Sequence, residues 1–382
     1  MQRELDSFYK EISKEEFNIR ELTKGGFSQA RSKLNPSAFV EMNQNLNQTF
    51  YNEAPYLLWQ GFRLIAGDGS TLNLPRNKST IEDFGERGYG PNADFQKCIA
   101  NVSILYDVLN LLVIDAQIVS NHIGEKEILL KQLEYLKKDD LLLLDRGYPS
   151  LILFFFLKAM GIQFCVRMKN DWWHAARDFK NSGEKERIVT FTLPEKDKSE
   201  MANFPEWKNS EIQCRLVRVE LENGEVEILC TSLLDIQNFP HSDFKELYHR
   251  RWSIEEGFKL FKERAEVENF SGKTSRAVQQ DFHAKIFMMT LSAVLAFPIE
   301  EKVKQETRQT KERKHTQKIN RTNALSMTGN ISIGLILKNA FQRAIAAFDK
   351  IVYKTREIVR LGRSNPRNTR RKRPYHLNSK RL

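Results

Sequence analysis

The chain has 382 residues, 41% of them hydrophobic and 29% charged, enough for one large core or two to three ordinary ones. Lysine and arginine exceed aspartate and glutamate by eleven. That surplus suits a polyanionic partner, either nucleic acid or an anionic membrane surface, and on charge alone a merely soluble basic protein stays equally open.

Met1 to Arg20 is highly charged and shows no apolar signal region. The longest apolar stretch, Ile286–Ile299, is too short to span a bilayer and reads as a buried core helix, so no membrane is expected. Cys98, Cys165, Cys214 and Cys230 have no CxxC spacing, which argues against a zinc site or disulfide framework and fits a reducing cytoplasm.

In chain order, the residues up to about Tyr56 read as helical and polar. Phe27–Leu34 and Ala38–Tyr51 form two helices around the turn Asn35-Pro36-Ser37, with Ser37 as N-cap. The pair fits a helix-turn-helix or an ordinary helical hairpin. Phe62–Leu74, Cys98–Val108 and Leu111–Val119 read as strands. Lys126–Leu136 has helical periodicity, and Leu141–Leu144 is a continuous apolar run, as for a central buried strand. A helix opens at Pro149 and ends near Gly161, and Ile162–Met168 is a further strand. A hairpin followed by strand-helix-strand alternation indicates a mixed sheet with helices packed on it.

Residues from Asn170 to about Pro240 interrupt this rhythm. Ile188–Thr192, Gln213–Glu220 and Glu225–Ser232 are strand-like, the last two flanking the hairpin signal Asn223-Gly224. Helices follow from near Asp243 to Arg264 and from Ser275 to Phe297. Lys302–Arg321 is basic, and Arg363–Leu382 holds eight Lys or Arg and no acid. Such segments read as solvated arms that would touch phosphates in a DNA-binding protein.

Asp68 sits in an otherwise apolar or small strand, and Asp145 ends the run Leu141–Leu144. A carboxylate at the end of a buried strand is unfavourable unless paired or bound to a cation, and two on adjacent strands repel unless a metal lies between them. Each alone reads as an Asp capping a turn beside a Gly. On the helix Phe244–Arg264, Tyr248, Arg251, Glu255 and Lys262 share a sector of roughly 60° at about 100° per residue. The apolar residues Leu247, Ile254, Phe258 and Phe261 lie on a neighbouring sector. Glu255 would complete a carboxylate triad; a solvated, ion-paired helix face has the same spacing.

Tyr248-x2-Arg251-x3-Glu255-x6-Lys262 resembles the Y-R-E-K signature of hairpin-forming bacterial insertion-sequence transposases of the insertion-sequence-four family. Asp68-Gly69-Ser70 and Asp145-Arg146-Gly147-Tyr148 resemble that family's first and second Asp motifs, in the same order and with a β insertion before the Glu. The resemblance covers roughly residues 20 to 380. It implies a ribonuclease H-like α/β core: a mixed sheet with helices on both faces, interrupted by a mostly β insertion, with helical N-terminal and C-terminal regions. The expected division is a DNA-binding N-terminal region (1–56), the core in two parts (57–169 and 241–300), the insertion (170–240) and a basic C-terminal region (301–382).

The resemblance also implies that Asp68, Asp145 and Glu255 are the catalytic residues and hold two Mg²⁺ or Mn²⁺ ions, and that Tyr248, Arg251 and Lys262 contact DNA phosphates. Arg167 resembles a family position near the DNA. Trp172, Trp173 and Trp207 lie where the family stacks a flipped base, none of them alignable with that position; Trp252 is expected to be structural. The implied activity is metal-dependent cleavage and strand transfer at terminal inverted repeats, through a DNA hairpin. The implied partners are double-stranded DNA, at the repeats and the target, and a second copy of the chain in a synaptic dimer, in the bacterial cytoplasm. A related nuclease without strand transfer and a catalytically silent DNA-binding relative are the alternatives.

Overall fold

A computed structural model describes residues 2–89, 95–169, 174–193, 211–309, 315–337 and 340–359. Trp172, Trp173, Trp207 and the basic segment from Arg363 lie outside the described residues. The chain divides into two compact units. A sheet unit comprises Pro55–Thr71 and Asn101–Gly257; a helical unit comprises Met1–Ala54, Leu72–Ala100 and Phe258–Leu382.

The sheet begins with β1 (Arg63–Asn73), β2 (Glu86–Tyr89), β3 (Phe95–Asp107) and β4 (Leu112–Ser120). It continues with β5 (Asp140–Leu144), β6 (Gln163–Arg167), β7 (Glu186–Thr192), β8 (Glu211–Glu220) and β9 (Val226–Thr231). Among the described residues the order is β2-β3-β1-β5-β6-β9-β8-β7, with β4 also paired to β3. β1, β5 and β6 run parallel, and β9, β8 and β7 continue the same sheet antiparallel. This is the mixed α/β sheet expected from the sequence. The insertion strands β7–β9 extend the main sheet and do not build a separate one.

Hydrophobic pattern explains the centre. Leu64, Ile65 and Ala66 of β1 and Leu141 to Leu144 of β5 are all fully buried, as continuous apolar runs are when a strand is covered on both faces. Helices α5 (Glu125–Gln132) and α6 (Leu151–Met160) connect the parallel strands, as parallel crossovers require. Leu153, Phe154, Phe155 and Leu157 of α6 are buried, and Phe154 stacks on Phe164 of β6 at 4.5 Å.

One polar pair stands out in this apolar centre. Arg63 and Asp140 are register partners at the starts of β1 and β5. Their side chains form a two-pronged ion pair, Arg63 Nε to Asp140 Oδ1 at 2.6 Å and Nη2 to Oδ2 at 2.8 Å, with Asp140 fully buried. The register then runs without a slip to Gly67 opposite Leu144. Asp68 and Asp145 are each the next residue along.

In the helical unit, α1 (Gln2–Ser13), α2 (Lys24–Ser32), α3 (Ser37–Glu53) and α4 (Lys78–Phe84) precede the long α10 (Ser275–Gln309), α11 (Arg321–Ile336) and α12 (Phe341–Lys354). Ser37 does not cap α3. Pro36 occupies the cap position, and the Asn35 side chain accepts the Ser37 N–H at 3.1 Å. α3 packs against α10, with Phe50 edge-on to Phe297 at 5.1 Å. Arg31 of α2 bonds Gln280 and Asp281 of α10 at 2.6 and 2.8 Å. The two N-terminal helices are thus docked on a third.

The helix expected to stop at Phe297 runs through Pro298 to Gln309. Proline in a helix interior removes one hydrogen bond and costs about 3 kcal/mol, but Ala296, Ile299 and Val303 of this stretch are buried in a cluster with Ile331, Phe348 and Val352 of α11 and α12. That burial offsets the cost. It also explains how a helix long and apolar enough to cross a membrane serves as the core of this unit. The start of the basic segment at Lys302 is likewise not a free arm. Lys304 pairs with Glu301 at 2.9 Å, and Glu306 accepts from Tyr353 and Arg356 at 2.7 and 2.9 Å.

Candidate active site

Asp68, in the middle of β1, and Asp145, the residue after β5, each directly follow the last paired residues of the β1–β5 register, Gly67 and Leu144. Each is half-buried and turns one oxygen to a nearby backbone N–H: Asp68 Oδ1 to Gly69 at 3.0 Å, Asp145 Oδ1 to Gly147 at 2.7 Å. A Cβ at position 147 would lie 2.9 Å from Asp145 Oδ1, so a side chain there would make the carboxyl group shift.

Glu255 comes from the signature segment, which is not the single straight helix expected. It is built of α8 (Asp243–His249), a 3-10 turn (Arg250–Trp252), α9 (Ser253–Lys259) and a π-helical turn (Leu260–Arg264). A 3-10 turn rotates about 120° per residue against about 100° in an α-helix, so the stripe read from an ideal helix is displaced. Tyr248 is accordingly buried, and its hydroxyl donates to Leu144 O at 3.3 Å, fastening α8 to the residue before Asp145. Arg251 is buried too, and its Nη2 donates to Glu255 Oε1 at 3.3 Å. Its guanidinium lies 5.6 Å from the Tyr248 ring and 5.3 Å from the Trp252 ring. Trp252, expected to pack, is 48% exposed. Lys262 falls in the π-turn and belongs to the helical unit. Arg167, at the end of β6, pairs with Glu227 at 2.7 Å.

Electrostatics tie these residues into one site. Burial pushes the Asp68 carboxyl up to about 6; the Gly69 N–H and Arg251 oppose this, while Asp145 and Glu255 add to it. Burial lowers the pKa of Arg251, but Tyr248, Asp68, Glu255 and Asp145 outweigh it and the net shift is upward. One buried guanidinium therefore stands among three carboxylates.

Two neighbours have no role assigned from the sequence. Tyr148, in the loop after Asp145, is buried, and its hydroxyl has no hydrogen-bond partner among the described residues. Its pKa is raised by burial and then by Glu125, Asp68 and Asp145. Glu125, the first residue of α5, is the other. Nothing in its sequence context separates it from an ordinary acidic residue in a helix first turn.

Among the described residues no three acidic, histidine or cysteine side chains form a closed metal-holding group; Glu255 instead accepts from Arg251. The donor set nonetheless fits a hard divalent cation. It offers carboxylate oxygens only, one pair of them on Asp68, whose proton affinity is raised mainly by burial, beside an orphaned buried hydroxyl.

The Asp68 shift has a measurable consequence. Its folded pKa of about 6 lies above the ordinary value near 3.9. The folded state therefore holds the proton more tightly, and stability is lost as pH rises from about 4 through 6. In EDTA, Asp68→Asn is expected to raise the unfolding free energy by about 1–2 kcal/mol at pH 7.5 and to leave it unchanged at pH 4. Urea melts at the two pH values check this; equal melts at pH 7.5 would contradict it.

Sheet and site together define an α/β protein with two aspartates placed where the pairing of two central parallel strands ends. Residues 59–291, more than half of the chain, match the family model described as a transposase DDE domain, and the chain belongs to that family. It is 26% identical over 242 residues to the transposase InsG for insertion sequence element IS4 of Escherichia coli (strain K12), a match covering 62% of this chain and 52% of that protein. The chain thus spans about half the length of the curated relative it matches. The cryo-EM structure of a piggyBac transposase synaptic complex with hairpin DNA aligns with 75% of this chain and 53% of its own, at 10% identity and a TM-score of 0.42.

Proposed function

We propose that the chain is a DNA transposase that cuts and rejoins the terminal inverted repeats of an insertion sequence, with Asp68, Asp145 and Glu255 as its catalytic carboxylates. The observation that carries this reading is the unbroken β1–β5 register from the Arg63–Asp140 pair to the two aspartates, with Glu255 in the same electrostatic field. Family membership supplies the substrate class.

Asp68, Asp145 and Glu255 would hold divalent cations, two Mg²⁺ or Mn²⁺. When bound, these supply charge stabilisation for in-line displacement at phosphorus, in which one P–O bond forms as another breaks. Arg251 holds Glu255 in place and is the cation nearest an incoming phosphate. Tyr248 fixes the signature segment to the end of β5. Lys262 and Arg167 are the further phosphate-contacting residues, Arg167 after release from Glu227. The protein acts in the bacterial cytoplasm, and two copies pair two element ends.

The test is to incubate the purified chain with DNA carrying the native ends of the element, with Mg²⁺ or Mn²⁺, and to separate the products on denaturing gels. Nicks, hairpins and joined products support the full reading. Cleavage without joined products assigns a ribonuclease H-like nuclease. Salt-sensitive binding without cleavage assigns a silent relative.

A further inference from the structure

We propose that Glu125 supplies a fourth carboxylate to the cation-holding face formed by Asp68 and Asp145. The inference rests on the reading of those two residues given above, and its argument is geometric.

Helix α5 starts at Glu125 behind Gly124, which offers no side-chain cap. The next residue, Lys126, donates from Nζ to Pro149 O at 3.2 Å. That bond ties the first turn of α5 to the loop carrying Asp145 and Tyr148. From there the Glu125 side chain reaches Gly69. A Cβ added at Gly69 would stand 2.6 Å from both Cδ and Oε1 of Glu125, so the carboxyl group fills the space a side chain would take. Gly69 is the residue that donates its N–H to Asp68 Oδ1. Glu125 and Asp68 therefore approach one residue, and Asp145 acts on Glu125 through its charge.

Two observations separate this from an ordinary helix-start glutamate. The helix dipole accounts for acids in the first turn, and Glu127 is one, paired with Lys131 at 3.1 Å. Glu125 has no hydrogen-bond or ion-pair partner among the described residues, and it leans toward other carboxylates, where like charges repel unless a cation lies between them. Independently, the buried hydroxyl of Tyr148 lacks a hydrogen-bond partner among the described residues and lies in the field of Glu125, Asp68 and Asp145. A buried polar group without a partner is rare in folded proteins; here it borders the place where a bound ion and its water shell would sit. Glu125 is also exposed, so a hydrated ion can reach it.

The test is titration of the full chain with MnCl2 alone, following free Mn²⁺ by electron paramagnetic resonance. Wild type is compared with Glu125→Gln, Glu127→Gln and Asp68→Asn, with circular dichroism as the folding check. Glu127→Gln makes the same charge change on the same helical turn. Glu125→Gln is expected to weaken Mn²⁺ binding by about tenfold, the scale of losing a group that supports a metal site. Glu127→Gln should match wild type, and Asp68→Asn should lose binding. If Glu125→Gln binds like Glu127→Gln while Asp68→Asn loses the ion, the role of Glu125 is overturned and the catalytic triad stands. If Asp68→Asn also binds as wild type does, the triad reading falls and the Glu125 proposal with it.

Discussion

Replacing Asp145 with alanine is expected to lower the rate of DNA cleavage by at least about a thousandfold while leaving the fold and DNA binding intact. The magnitude follows from the chemistry: cation-mediated stabilisation at phosphorus is worth several kcal/mol, and each 1.36 kcal/mol is tenfold in rate. The fold should survive because Asp145 lies just after β5 and its side chain's described hydrogen bond is to the Gly147 N–H of its own turn. Removing Asp145 also takes away the like charge that adds to the effect of burial on Asp68. Cleavage rate, gel-shift affinity and thermal melting measured on one preparation separate these effects. Cleavage within tenfold of wild type would contradict the assignment.

The largest effect on stability is expected at Asp140, far less conspicuous in the sequence. Asp140→Ala would leave the Arg63 guanidinium buried without its counter-charge, and breaking a buried ion pair from one side costs about 3–5 kcal/mol. That is a large part of the 5–15 kcal/mol typical of a folded domain. Asp140 also accepts the Lys137 N–H at 2.7 Å, so the turn into β5 would loosen as well. The double variant Arg63→Met, Asp140→Leu should recover much of the loss, because an apolar pair needs no counter-charge. Urea unfolding of the single and double variants decides the matter, and a loss below about 1 kcal/mol for Asp140→Ala would show that the pair does not hold the strands. On the proposed function, activity depends on that hold. Side chains alternate along a strand, so a slip of one residue between β1 and β5 would turn Asp68 to the opposite face.

Much of the fold was legible because its core strands are short and apolar and its turns carry strong signals. Leu141–Leu144 could be placed as a buried strand from composition alone, and Asn223-Gly224 marked the β8–β9 hairpin, where Gly224 has a positive φ of 81°. What sequence periodicity missed are features set by tertiary contact. The signature segment was read as one helix because no proline or glycine marks the 3-10 turn at Arg250–Trp252. That turn goes with an Arg251 buried among carboxylates that lie far away in sequence. The continuation of α10 beyond Pro298 is decided by packing against α11 and α12. Of the candidate site, Asp68, Asp145 and Glu255 were singled out as candidates through their motifs. Glu125 was not, because what distinguishes it is the space above Gly69, 56 residues earlier, which exists only in the folded sheet.

The most direct test of the central claim is excision of the element, carrying this gene and its native flanking DNA, in a bacterial host, with wild type compared with Glu255→Ala. Excision by the wild type and none by Glu255→Ala, with both proteins present at equal levels, is the result predicted. Equal excision by the two would show that the chemistry does not run through the carboxylates on β1, just after β5 and on α9.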